Sequence, residues 1–146
     1  MRFNNILVPI GGHKADEEAI ELACKIAKGG KSKIYVLYII QVKRALPLDA
    51  ELEPEIRKAE EVLSHAEDIA EEQDYEIDTD ILQAREIGPA IGDEVAERNI
   101  DLLLIGMNYK RHFGEFKLGD TVTYVLKNAP CRVFVLRQPL ANQEEK

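Results

Sequence analysis

Apolar residues along the chain fall into two alternating patterns: short unbroken runs of strand length, and longer stretches repeating every three to four positions. The first run, Asn5–Ile10, carries ILVPI and reads as a buried strand. Lys14–Lys28 follows with Ala19, Ala23, Ile26 and Ala27 on one helical face, and Gly29-Gly30 is its predicted stop. Lys33–Ile40 (KIYVLYII) is continuously apolar, β-branched or aromatic, as a central parallel strand should be. After a loop over Gln41–Ala50, Glu51–Gln73 reads as a long helix, with Ile56, Ala59, Leu63, Ala66 and Ala70 in line and carboxylates opposite.

Glu76–Leu82 alternates apolar and polar residues and suits a strand with one exposed face. Gly88-Pro89 opens the next helix, which turns Ile91, Val95 and Ala96 inward. Asp101–Gly106 (DLLLIG) is a second buried strand, and a glycine-bearing loop, Met107–Leu118, leads to a helix near Gly119–Asn128. Cys131–Arg137 (CRVFVLR) closes the series. Strands alternating with helices require crossover connections, so the predicted fold is α/β. It is a single-domain, three-layer α/β/α sandwich around a five-stranded, mainly parallel, Rossmann-like sheet of order 3-2-1-4-5. The domain is expected over residues 1–137, with 138–146 as a polar tail. Ligands of such sheets bind beyond the carboxyl ends of the strands where the strand order reverses, which directs attention to the loops after strands one and four.

Composition narrows the function. The chain has 146 residues, 45% of them hydrophobic and 32% charged, and no apolar run approaches a membrane span. The opening MRFNNILVPI is too briefly apolar for a signal peptide, so a cytoplasmic location is expected. A formal net charge of −8 disfavours nucleic acid. Cys24 and Cys131 lie in apolar surroundings and read as small core residues. His13, His65 and His112 have no second ligand at helical or CxxC spacing, so no metal is indicated, although His13 and His112 belong to loops at the same end of the sheet. Walker A, GxGxxG and GxSxG are missing, and no acid–base pair marks a catalytic centre. Gly11-Gly12 stands where ATP pyrophosphatases carry SGGxDS, but Ile10 occupies the first serine position and the aspartate and final serine are missing. Binding, with slow nucleotide hydrolysis at most, is the expected mode of action.

Three segments carry a family resemblance. ILVPIGG resembles the ILVPxDGS opening of the universal stress proteins, within the adenine nucleotide alpha hydrolase-like superfamily. Gly106 and Gly119 match the first and third glycines of the family's G-x2-G-x9-G-[ST] loop, and NAPCRVFVLR is similar to its terminal strand segment. The resemblance covers Phe3–Arg137. It implies an adenine nucleotide such as ATP, with magnesium, as the possible cofactor. The acid after strand one would meet the ribose or help place a metal, and the main chain near Ile39 would meet the adenine edge. The glycines and a following hydroxyl would cradle phosphates. It also implies a homodimer through the last strand, where Val133 and Val135 would pair across a two-fold axis.

The departures lie at the ligand positions. The family acid falls on Gly11 and the serine on His13; the middle glycine falls on Tyr109 and the hydroxyl on Asp120, with Thr121 next. A carboxylate at Asp120 opposes a triphosphate, so ATP binding in the family manner is expected to be weak or absent. Asp120 also reads as a helix cap. Gly11 and Gly12 are expected to leave backbone donors available. The loop bearing Tyr109, Lys110, Arg111, His112 and Phe113 offers cations and rings for another anion, an AMP or a cyclic nucleotide, unless it is simply packed by its own aromatics. Three roles remain open: a regulatory stress protein acting on a protein partner, a nucleotide-binding switch, and a cytoplasmic regulator of a transporter.

Overall fold

A computed structural model describes residues 2–107, 110–112, 115–117 and 119–139. The chain runs β1 (Asn5–Ile10), α1 (Lys14–Gly30), β2 (Lys33–Gln41), α2 (Glu53–Glu72), β3 (Asp78–Ala84), α3 (Ile87–Glu97), β4 (Leu102–Gly106), β5 (Lys110–His112), β6 (Glu115–Lys117), α4 (Asp120–Asn128) and β7 (Arg132–Leu136). Five strands form one parallel sheet in the order β3-β2-β1-β4-β7, the predicted 3-2-1-4-5 arrangement. β5 and β6 pair antiparallel as a separate hairpin inside the segment expected to be a plain loop.

Strand pleating distributes the apolar runs to two cores. Ile6, Val8 and Ile10 of β1 face α1 and α2, together with Leu102 and Leu104 of β4. Leu7 and Leu103 point the other way, onto Ile91 and Val95 of α3 and Val125 of α4. The continuous apolar reading of β1, β2 and β4 therefore reflects burial on both faces. Cys24 is fully buried and Cys131 half-buried, both as free thiols, and burial raises both above the ordinary thiol range. They are packing residues rather than nucleophiles.

Element ends depart from expectation in two places. Gly29-Gly30 does not stop α1; both residues are helical, and the left-handed turn falls on Lys31 (φ 56°), whose N–H caps onto Ala27 O. The next residue explains the offset. Ser32 is buried, its hydroxyl donates to Phe3 O and its carbonyl accepts from the Tyr75 hydroxyl, so the turn must deliver Ser32 to that knot. β3 lies two residues later than its alternation suggested, because Gln83 and Ala84 continue the ladder beside Ile40 and Gln41. Gln83 and Arg85 then donate to carbonyls of Lys43, Leu46, Leu48 and Ala50, pinning the loop after β2.

The strand order reverses between β1, which leads outward to β2 and β3, and β4, which pairs with the other side of β1. That reversal opens a crevice at the carboxyl ends of the two strands.

Candidate functional site

The crevice is a cleft of about 340 Å³. Its floor is apolar, built by Ile10, Ile39, Ile87, Ile91, Ile105 and Met107, while His13, Asp16, Asp120 and Thr121 supply polar groups at its walls. Gly11, Ile39, Gly106, Gly119, Asp120 and Thr121, drawn from four separate segments of sequence, thus meet in one concavity, as does His13.

One wall is the turn from β1 into α1. Gly12 adopts φ +90°, a conformation open to glycine, and the turn aims three consecutive N–H groups inward. All three end on a single atom: Asp16 Oδ2 accepts from Gly11 N at 3.1 Å, Gly12 N at 2.7 Å and His13 N at 2.8 Å. Asp16 N–H in return donates to His13 O at 3.1 Å. The expectation that Gly11 and Gly12 leave free donors is therefore corrected: those donors are engaged by a carboxylate from the first turn of α1. Asp16 is only 5% exposed. The side chain of His13, the helix-capping residue, folds back over Gly11, and a Cβ placed on Gly11 would lie 3.2 Å from its Nε2.

Gly106 lies at the end of β4, where a Cβ would meet the Ala15 carbonyl oxygen at 2.8 Å. Close approach of α1 to β4 is thus sufficient reason for glycine here, whatever the cleft holds. Opposite stands the start of α4. Gly119 is its N-cap residue, and no side chain caps the helix. Asp120, expected as a cap, is the first helical residue and exposed; it contributes negative charge beside the helix dipole without a capping bond. Thr121 is half-buried at the cleft.

Tyr109 lies outside the described residues, as do Phe113 and Gly114. Lys110, Arg111 and His112 form β5, with Arg111 opposite Phe116, and only their backbone is described. Val133 and Val135 lie on β7, whose one partner among the described residues is β4, and their side chains pack against Val122, Ile105 and Met107. Among the described residues no group of three or more His, Cys, Asp or Glu is placed to hold a metal ion, and no helix is long and apolar enough to cross a membrane.

The sequence model of the universal stress protein family matches residues 2–137. The chain belongs to the universal stress protein family. A universal stress protein of Methanocaldococcus jannaschii is 31% identical over 144 residues, covering 94% of this chain and 84% of that protein. Among solved structures, the universal stress protein UspA of Lactobacillus plantarum superposes with a TM-score of 0.76 at 26% identity, covering 94% of this chain and 99% of that one. The Archaeoglobus fulgidus universal stress protein in complex with dAMP gives 0.72 at 20% identity, covering 92% and 98%. At that identity the likeness establishes the shared fold. Within the family architecture, Asp16 is the residue that motif reading missed. Its signal was an acid three positions into a helix, after a Gly-Gly turn.

Proposed function

We propose that this universal stress protein is a cytoplasmic regulatory protein that acts by binding, and that its cleft takes a small ligand of the adenine nucleoside or nucleotide class while holding ATP weakly or not at all. The observation that carries this reading is the pairing of an apolar floor with two wall carboxylates, Asp16 and Asp120. Isoleucines on the floor suit a planar base, and Ile39, at the end of β2, is among the residues that line it. The carboxylates oppose a chain of phosphates in a partly dry site. The dAMP complex of the Archaeoglobus fulgidus relative supports a ligand of this class with a single phosphate.

The output of binding is assigned to a protein partner, reached by a homodimer joined along the β7 edge. Its outer side has no strand neighbour among the described residues, which leaves that ladder available to a second copy. Val133 and Val135 support β7 from within by packing on α4 and β4.

The test is direct. Purified protein is denatured and any released nucleotide identified; ATP, AMP and cyclic AMP are then titrated calorimetrically with and without magnesium. AMP is expected to bind more tightly than ATP, and tight ATP binding would overturn the reading. Sedimentation over a range of concentrations should show a dimer; a monomer throughout would remove β7 as an interface.

A further inference from the structure

The sheet has two edges, β3 and β7, and among the described residues each has a strand neighbour on one side only. The ladder between β2 and β3 fixes which backbone groups of β3 point outward. Val42 N donates to Ala84 O at 2.8 Å, so Ala84 turns its backbone toward β2. In a parallel strand the N–H and C=O of one residue point the same way and successive residues alternate, so Thr79, Ile81 and Gln83 face away from the sheet. The central N–H of the three is already taken: Asp80 Oδ1 accepts it from Ile81 at 2.9 Å. Asp80 Oδ2 accepts from the Arg98 guanidinium at 3.0 Å. Arg98 is itself fixed, donating through Nε to Glu94 at 2.7 Å, with its guanidinium carbon 5.0 Å from the centre of the Tyr35 ring. The carboxylate that blocks the edge is therefore held in place from the end of α3.

We propose that the β3 edge is a latent pairing surface for a second copy of this chain, and that Asp80 keeps it closed. The strand is otherwise fit to pair: Thr79, Ile81 and Leu82 are extended and only half-buried. Strand addition needs a run of outward groups, and with the middle N–H taken, Thr79 and Gln83 are left as isolated donors on either side. Freeing that N–H breaks a charge-assisted hydrogen bond in each copy. A second copy also brings its own Asp78 and Asp80, and like charges across paired strands oppose pairing. β7 (Arg132–Leu136) carries no carboxylate, so the two edges differ in what they admit. The difference bears on assembly. A dimer joined along β7 leaves one β3 edge at each end, and two open ends would let copies add without closing. That consequence rests on the proposed β7 dimer; the closure of β3 does not.

Hydrogen exchange and sedimentation test the assignment. In the wild type, amide exchange followed by NMR should show Ile81 protected at least about tenfold more than the outward Thr79 and Gln83, each relative to its intrinsic rate. An Ile81 amide exchanging as fast as those two would sink the proposal. Sedimentation velocity over a range of concentrations then compares Asp80→Val with the wild type. The variant should form species of at least about twice the wild-type mass, and an unchanged mass would refute the closure. Glu94→Gln, which loosens Arg98 but leaves Asp80 on Ile81, should keep the wild-type mass. If it assembles as Asp80→Val does, lost stability rather than an open edge drives association, and the proposal fails. The masses also separate this inference from the β7 reading. Open-ended growth of Asp80→Val from a dimeric wild type supports both. A monomeric wild type whose Asp80→Val variant stops at a dimer supports the closure of β3 and removes β7. Should Asp80→Val not fold, exchange at Ile81 in the wild type decides alone.

Discussion

Two helices begin at the cleft, and their first turns are handled in opposite ways. α1 starts closed: His13 holds the cap position, and Asp16 gathers three N–H groups onto one buried oxygen. α4 starts open: Gly119 brings no side chain, and Asp120 is exposed without a capping bond. The same residue type therefore does different work three positions into one helix and at the first position of the other. At α1 the aspartate is structural and borders the cleft. At α4 it acts mainly as charge in solvent, where screening weakens it.

Removing each carboxylate should break that symmetry most visibly. Asp16→Ala is expected to cost about 2–3 kcal/mol, because buried amides lose a charged partner. Asp120→Ala should change stability by less than about 0.5 kcal/mol. Urea unfolding of the two variants compares them directly, and equal losses would void the distinction. Next in size is the glycine pair. Gly106→Ala drives a methyl to 2.8 Å from the Ala15 carbonyl and should cost about 2 kcal/mol. At Gly119, where an added Cβ meets nothing within 4 Å, the same change should cost only about 0.5 kcal/mol. A Gly119 variant as unstable as the Gly106 one would mean that the start of α4 is as tightly packed as α1. Gly12→Ala, at φ +90°, should cost about 1–2 kcal/mol and weaken the α1 turn alone. A modest effect is expected on binding: Asp120→Ser should raise ATP affinity about fivefold by calorimetry, the size of one screened like-charge contact. No gain would show that Asp120 does not set the ATP response.

Much of this was legible in the sequence. KIYVLYII and DLLLIG are apolar at every position because both sheet faces are covered, and that alone separates buried parallel strands from amphipathic helices. The positions of Gly106 and Gly119 located the cleft, yet their spacing did not reveal why each is glycine. Gly106 is accounted for by a contact with Ala15, a neighbour 91 positions away that only the folded chain supplies. The end of α1 was misplaced because glycine is the cheaper left-handed residue, while Lys31 is held there by the Ser32 knot. Asp16 looks in sequence like any acid in a first helical turn. Only the backbone at Gly12 folds the three amides onto it, and a positive φ leaves no mark beyond a glycine. For the same reason, restoring an acid at Gly11 is a poorer repair than the family motif suggests: its Cβ would crowd His13 Nε2 at 3.2 Å, in a turn already holding a carboxylate.

The contact between Gly106 and Ala15 joins the end of β4 to the start of α1, one residue before Asp16. Those two walls of the cleft are consequently packed directly on each other. The opposite wall is held as well: Val122, in the first turn of α4, packs on Ile105 and Met107, and a Cβ on Gly88 of α3 would meet Tyr124 of α4 at 2.8 Å. For a ligand of the proposed class the seat is already shaped, so little ordering entropy is spent on arrival and association should be quick, with residence time governing affinity.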